Sequence, residues 1–246
     1  MINLIMPMGG RGERFSKDGI ATPKPLIDLK GKPFFYWSTQ SILQYTEAAS
    51  LVFVVLKEHA DKFGIDAAIR IYYPQAQFVY LEDVLNGAVL TCREGVKAID
   101  NDYPVVFNDC DHLFYAPEFY EYCNTGDYSI LDGALLTFKS NDPKFSYLKY
   151  GDDGYVIQTV EKKVVSDEAI CGAYYFRNKD IFVKASDDYL QRCAYQEYFV
   201  SGVYNSLTLL GGKTKGFKVQ THLAFGTPLE YAEALKSEAA VFQRAG

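Results

Sequence analysis

Short apolar runs alternate with longer stretches of helical spacing through the first hundred residues of the chain. The runs at 2–7, 51–56, 78–81 and 104–107 are brief and almost continuously apolar, the pattern of strands buried on both faces. Between them, 33–45 opens on Pro33 at a first helical position, 58–72 mixes polar and apolar residues, and 86–99 spaces its apolar positions helically. Strands alternating with helices predict βαβ units and a mostly parallel sheet with crossovers on both faces. After His112 the rhythm changes. The segments 130–138, 146–150, 155–161 and 169–176 are strand-like and are separated by turn signals such as Gly151-Asp152-Asp153-Gly154, which predicts a mixed or antiparallel extension of the sheet. Helices are expected at 179–191 and 196–210, then a strand at 215–219 and a terminal helix from Pro228, whose Tyr231, Leu235 and Phe242 suit core or subunit contact. No linker, composition shift or repeat divides the chain. The predicted fold is α/β, a Rossmann-like, mostly parallel mixed sheet with helices on both faces, in one domain over 1–246.

Composition narrows the function classes. With 48% hydrophobic and 15% aromatic residues, a core can close without disulfides or metal staples. The net charge of −6 argues against a surface built to coat nucleic acid or an anionic membrane, but leaves room for a small anion held by a local basic cluster. Cys92, Cys110, Cys123, Cys171 and Cys193 are odd in number and widely spaced, the usage of reduced thiols in a cytoplasmic protein. The opening MINLIMPMGG lacks a basic start and meets glycines within a few residues, unlike a signal peptide, and no stretch approaches the roughly 18 apolar residues of a membrane span.

The chemistry concentrates after the first strand, in Met8-Gly9-Gly10-Arg11-Gly12-Glu13-Arg14-Phe15 and then Pro23-Lys24-Pro25-Leu26. In an α/β sheet, ligands bind beyond the carboxyl ends of the strands, and glycines there let backbone N–H groups approach phosphate oxygens. Residues 11–32 carry six basic and three acidic side chains inside an acidic protein, a local field suited to a triphosphate. The spacing is neither that of the Rossmann glycine fingerprint nor that of a Walker loop. A second cluster, Asp109-Cys110-Asp111, falls at the end of the fourth strand, where paired carboxylates can hold a hard cation. Cys110 between two acids is expected to have a raised thiol pKa through like-charge repulsion, and His59 and His112 are expected at the surface or in loops, with His112, beside Asp111, also a candidate metal ligand.

Together these segments resemble the sugar-phosphate nucleotidyltransferase family, whose signature runs close to G-G-x-G-x-R followed by P-K-P. The resemblance extends through Asn86-Gly87-Ala88 at the helix after the third strand, the Asp109 and Asp111 pair, and Glu161-Lys162-Lys163. It continues in the segment from Ser166 through Ala169, Gly172 and Tyr174 to Phe176, and in Gly226-Thr227-Pro228 before the last helix. Two departures stand out. Ala224 occupies a position where the family commonly carries a second metal-binding aspartate, with His222 the nearest polar neighbour. Met6-Pro7-Met8-Gly9 replaces the usual apolar opening and is similar to the capsule and surface-polysaccharide subgroup.

The resemblance implies a GT-A-like fold whose nucleotide-binding half covers about 1–112 and whose acceptor-binding half covers about 113–246. It implies transfer of a nucleoside monophosphate from a triphosphate, CTP or UTP in preference, to a phosphorylated small molecule such as a sugar 1-phosphate, with release of pyrophosphate. Met8, Gly9, Gly10, Arg11, Gly12, Asn86, Gly87 and Ala88 would bind the nucleotide, Arg14 with the Gly9 to Gly12 backbone would hold the β- and γ-phosphates, Lys24 would stabilise the α-phosphate and Lys162 would position the acceptor's phosphate. Glu161 and Gly172 would face the acceptor, and Asp109 or Asp111 would hold Mg²⁺. Two alternatives share these residues. A GT-A glycosyltransferase would use the acidic pair but leave the basic loop without a γ-phosphate to bind, and a cytidylyltransferase would act on a non-sugar phosphate such as phosphoglutamine. No nucleic-acid or membrane partner is implied, and assembly as a homo-oligomer is compatible with the chain.

Overall fold

The computed structural model describes residues 1–244; residues 245 and 246, the end of the expected acceptor-binding half, lie outside the described residues. A nine-stranded mixed sheet organises the molecule. Its parallel part sets β6 (Val105–Asn108), β1 (Ile2–Met8), β4 (Ala48–Leu56) and β5 (Gln77–Leu81) side by side. The antiparallel part is built on β11 (Glu168–Phe176), which pairs with β6 and with β8 (Gly133–Lys139), and near its start with β9 (Tyr147–Tyr150). The β10 strand (Val156–Val160) pairs with β9, and β12 (Thr214–Lys218) runs parallel to β8. Two small sheets flank this one: β2 (Asp28–Leu29) with β3 (Lys32–Pro33), and β7 (His112–Tyr115) with β13 (Thr221–Ala224).

The helices are α1 (Glu13–Lys17), α2 (Phe34–Leu43), α3 (Lys57–Phe63), α4 (Ile65–Tyr72), α5 (Ala88–Val96), α6 (Pro117–Thr125), α7 (Lys179–Arg192), α8 (Val200–Leu209), α9 (Pro228–Lys236) and α10 (Ala239–Gln243). Period-two alternation sorts the strands onto two cores. In β1, Leu4, Met6 and Met8 face one side while Ile5 faces the other; in β4, Phe53 and Val55 oppose Val52, Val54 and Leu56. A third, smaller cluster joins Phe15, Ile27, Phe34, Trp37, Phe225 and Phe242, and so pins the loop after β1 to the last helices. The Phe34 and Phe225 rings lie 4.6 Å apart.

Several boundaries differ from expectation. The helix expected over 58–72 is two helices, because Gly64 takes a left-handed conformation between α3 and α4. The terminal helix breaks at Ser237 into α9 and α10. Its expected apolar stripe holds at Tyr231 and Phe242, whereas Leu235 is 41% exposed. The segments 112–115 and 117–125, to which the apolar pattern assigns no element, form β7 and, between Pro117 and Gly126, α6.

Candidate active site

The loop after β1 begins with Met8 buried at the carboxyl end of the strand and turns through Gly9 and Gly10 to Gly12. Gly12 has φ of 66°, and a Cβ there would lie 2.9 Å from the Cβ of Lys24. A side chain at this position would be strained and would push away the lysine that the loop brings in. Lys24 begins a single 3₁₀ turn after Pro23, whose fixed φ orients the chain into it.

Two cavities of similar size, about 270 and 240 Å³, open at this end of the sheet. The first is lined by Met8, Gly9, Gly10, Gly12, Lys24, Gly87 and Ala88, with Thr91 and Glu197. The second is lined by Arg14, Asp109, Asp111 and Gly172, with Lys144, Ser146, Tyr174, His222, Thr227 and Glu230. They meet at one ion pair: Lys24, on the wall of the first, donates from Nζ to Oδ2 of Asp111, on the wall of the second, at 2.7 Å. Cys110, between the two aspartates, lines the first cavity.

The two carboxylates occupy space that two glycines leave free. A Cβ on Gly172, whose φ is 90°, would lie 2.7 Å from Oδ2 of Asp109, and a Cβ on Gly226 would collide with Oδ2 of Asp111. The backbone ties them further, with Asp109 N–H donating to the Gly172 carbonyl and Phe225 N–H donating to the Asp111 carbonyl, both at 2.9 Å. Burial, reinforced by Asp111 and opposed by Lys24, raises the pKa of Asp109. Burial also works against the charge of Asp111, but Lys24 outweighs it and holds this carboxyl below its usual range. The reverse holds at Lys24, where Asp111, Cys110 and Asp109 overcome burial and raise the ammonium's pKa. One lysine therefore faces two carboxylates. That donor set of hard oxygens, short of one compensating charge, fits a divalent cation such as Mg²⁺.

Cys110 is pushed up to about 12, with burial as the largest cause; the expected like-charge repulsion from Asp111 and Asp109 is a smaller contribution, and Lys24 acts against the rise. The expectation of surface histidines fails. His59 and His112 are both buried, and burial lowers His112 to about 4 and the neighbouring His222 to about 3.

No protein-family model matches the chain, and no curated protein matches its sequence. Solved structures do. A nucleoside-diphosphate-sugar pyrophosphorylase from Vibrio cholerae superposes with a TM-score of 0.81 at 23% identity, covering 95% of this chain and 100% of that one. The inositol-1-phosphate CTP transferase from T. maritima gives 0.76 at 14% identity, over 100% of this chain and 95% of the other. HddC from Yersinia pseudotuberculosis, complexed with GMP-PN, gives 0.68 at 18% identity, over 96% and 99%. The chain has the sugar-phosphate nucleotidyltransferase fold.

Within the nucleotidyltransferase fold, the expected residues separate into three groups. Met8, Gly9, Gly10, Gly12, Lys24, Gly87 and Ala88 share the first cavity, and Arg14, Asp109, Asp111 and Gly172 share the second. Arg11, Asn86, Glu161 and Lys162 line neither. The Arg11 guanidinium is engaged by Glu58 at 2.8 Å and Asp83 at 3.4 Å. Glu161 accepts hydrogen bonds from Ser146 and Ser201, so it braces the second cavity from behind, and Lys162, at φ 52°, places its ammonium 4.8 Å from the Phe199 ring centroid. Sequence reading missed Thr91, Lys144, Tyr174, Glu197 and Glu230. Lys144 bridges Asp142 and Glu230 across 3.1 and 3.0 Å. Of the missed set, Tyr174 lay inside the matched segment and Glu230 three residues past Thr227; nothing local marked the others.

Proposed function

We propose that the protein is a nucleotidyltransferase, which transfers a nucleoside monophosphate from a triphosphate to a phosphorylated small molecule and releases pyrophosphate. The observation that carries this reading is the Lys24 to Asp111 contact, which joins a glycine-walled cavity to a second cavity with acidic, basic and hydroxyl groups. A triphosphate in the first cavity would present its α-phosphorus at that junction. An acceptor phosphate in the second would stand in line with it, so that its oxygen attacks phosphorus as the bond to the bridging oxygen of pyrophosphate breaks. Lys24 would neutralise charge gathering on the α-phosphate oxygens, and backbone N–H groups between Gly9 and Gly12 would hold the leaving pyrophosphate. Arg14 would bind the acceptor phosphate, since its place on the second cavity argues for that role over one on the β- and γ-phosphates. Mg²⁺ held by Asp109 and Asp111 would supply electrostatic neutralisation of phosphate oxygens.

The halves expected on either side of residue 112 interlock in this reading. Arg14 serves the acceptor side and Glu197 the nucleotide side. The donor is CTP or UTP, a choice that rests on the subgroup resemblance and is in keeping with the CTP in the T. maritima neighbour's description. On the same resemblance the product feeds surface-polysaccharide or capsule precursors, made in the cytoplasm. No helix among the described residues is long and apolar enough to cross a membrane.

Incubating the protein with Mg²⁺, each of the four common triphosphates and a panel of sugar and non-sugar phosphate monoesters, while measuring pyrophosphate, tests the reaction class and both substrates together. Pyrophosphate that appears with one triphosphate and one monoester is the expected result. Its absence throughout, with glycosyl transfer from a nucleotide sugar, would replace this reading by the glycosyltransferase.

A further inference from the structure

We propose that His112, Cys171 and His222 form a site for a transition-metal cation of the Zn²⁺ class on the wall of the second cavity, separate from the carboxylate pair. One ring nitrogen from each histidine and the Cys171 sulfur lie within 4.8 Å of one another, and all three residues line that cavity. The placement follows from the small β7 and β13 sheet. His112 pairs with Ala224 and Phe114 with His222, so the two histidines are diagonal neighbours on one face of the ladder. Ala224 opposite His112 offers only a methyl group. Cys171, on β11 next to Gly172, approaches from the main sheet.

Two unsatisfied nitrogens point to a ligand. Nε2 of His222 is buried without a hydrogen-bond partner, and Nδ1 of His112 is buried without a well-formed one although the backbone carbonyls of Asp109 and Cys171 stand near its ring, a costly arrangement unless something completes it. At His112 the surroundings also select which nitrogen is free. The amide of Asn108 donates from Nδ2 to the Ser38 carbonyl at 2.8 Å, which turns its Oδ1 to Nε2 of His112 at 2.9 Å. Nε2 then carries the proton and Nδ1 keeps its lone pair, the arrangement in which an outer hydrogen bond orients a metal-ligating imidazole.

The donor chemistry separates this cluster from the Mg²⁺ site. Two imidazoles and a thiolate suit a softer ion that Mg²⁺ does not replace, just as the oxygen pair at Asp109 and Asp111 suits a hard one. Donors of a tetrahedral Zn²⁺ site stand about 3.3–3.8 Å apart, given bonds of about 2.0–2.3 Å, so binding would draw the three side chains together by about 1 Å. Cys171 would lose its proton to solvent on binding. Three protein ligands would leave a fourth position toward the cavity, open to water or to an acceptor.

The test uses the full chain, stripped with a chelator and titrated with Co²⁺ under excess Mg²⁺. We expect one equivalent to bind, with visible d–d bands and a near-ultraviolet sulfur-to-cobalt charge-transfer band, and one equivalent of Zn²⁺ to displace it. Cys171→Ser should remove the charge-transfer band. His222→Ala should weaken Zn²⁺ binding by at least about tenfold, and Asp109→Asn should leave the cobalt spectrum as it is. Folding of each variant is checked by circular dichroism, and if Cys171→Ser does not fold, the His222→Ala titration decides. A spectrum without a sulfur band, or wild-type affinity in His222→Ala, would overturn the proposal. The spectrum is read without turnover, so the outcome is independent of the proposed reaction.

Discussion

Lys24 is the cation at the junction of the two cavities, on the wall of one and paired with Asp111 on the wall of the other. Lys24→Ala should lower kcat/KM by about 10²–10³-fold, the usual cost of removing a preorganised group aimed at developing charge. The fold should persist, since both partners of the pair are about a quarter exposed and Asp111 can be solvated or take up a cation. Steady-state kinetics alongside circular dichroism would check this; an unaltered rate would shift the α-phosphate role to another group. Lys24 was legible in the sequence because its signal is local, a proline-flanked lysine shortly after a glycine loop. Lys144 and Glu197 were not, because each reaches its cavity from a segment more than a hundred residues away from that loop and has ordinary neighbours. Arg11 shows the converse. It lies inside the most recognisable motif, yet Glu58 on α3 and Asp83 after β5 take its guanidinium, and no local pattern predicts partners so distant in sequence.

Among the elements, the long strands and helices were legible because a periodic apolar face leaves a trace over many residues. The β2 and β3 strands have two residues each, and β7 and β13 have four; such lengths are too short to display a period, and their pairing is set by the chain that surrounds them. The α6 helix is a different case, since Pro117 at its first turn and Gly126 at its end were signals available in the sequence. Elements remote from the cavities should govern stability alone. In α7, the Asn178 side chain caps the helix by accepting from Ile181 N–H at 3.0 Å, and none of the helix lines either cavity. Asn178→Ala should cost about 1 kcal/mol in denaturant unfolding while leaving kcat/KM unchanged. A variant that loses activity in proportion would show that α7 is coupled to the site.

At the scale of the molecule, the parallel strands β1, β4, β5 and β6 bring the glycine loop and the acidic pair to one end of the sheet, and the antiparallel strand β11 carries Cys171, Gly172 and Tyr174 to the same place. The cysteines are distributed through this sheet and its packed helices in a way that has its own use. Cys92, Cys110, Cys123 and Cys171 are buried, and Cys193 alone is partly exposed. Burial is also the largest cause of the raised pKa of each of those four thiols, which disfavours their thiolates in the metal-free protein. A bulky disulfide reagent should therefore consume one equivalent of thiol quickly from the folded protein, with the other four following only as the structure opens. Two or more fast equivalents would mean that a cavity wall opens on its own. The chain thus carries a colorimetric gauge of its own unfolding, one that needs no label.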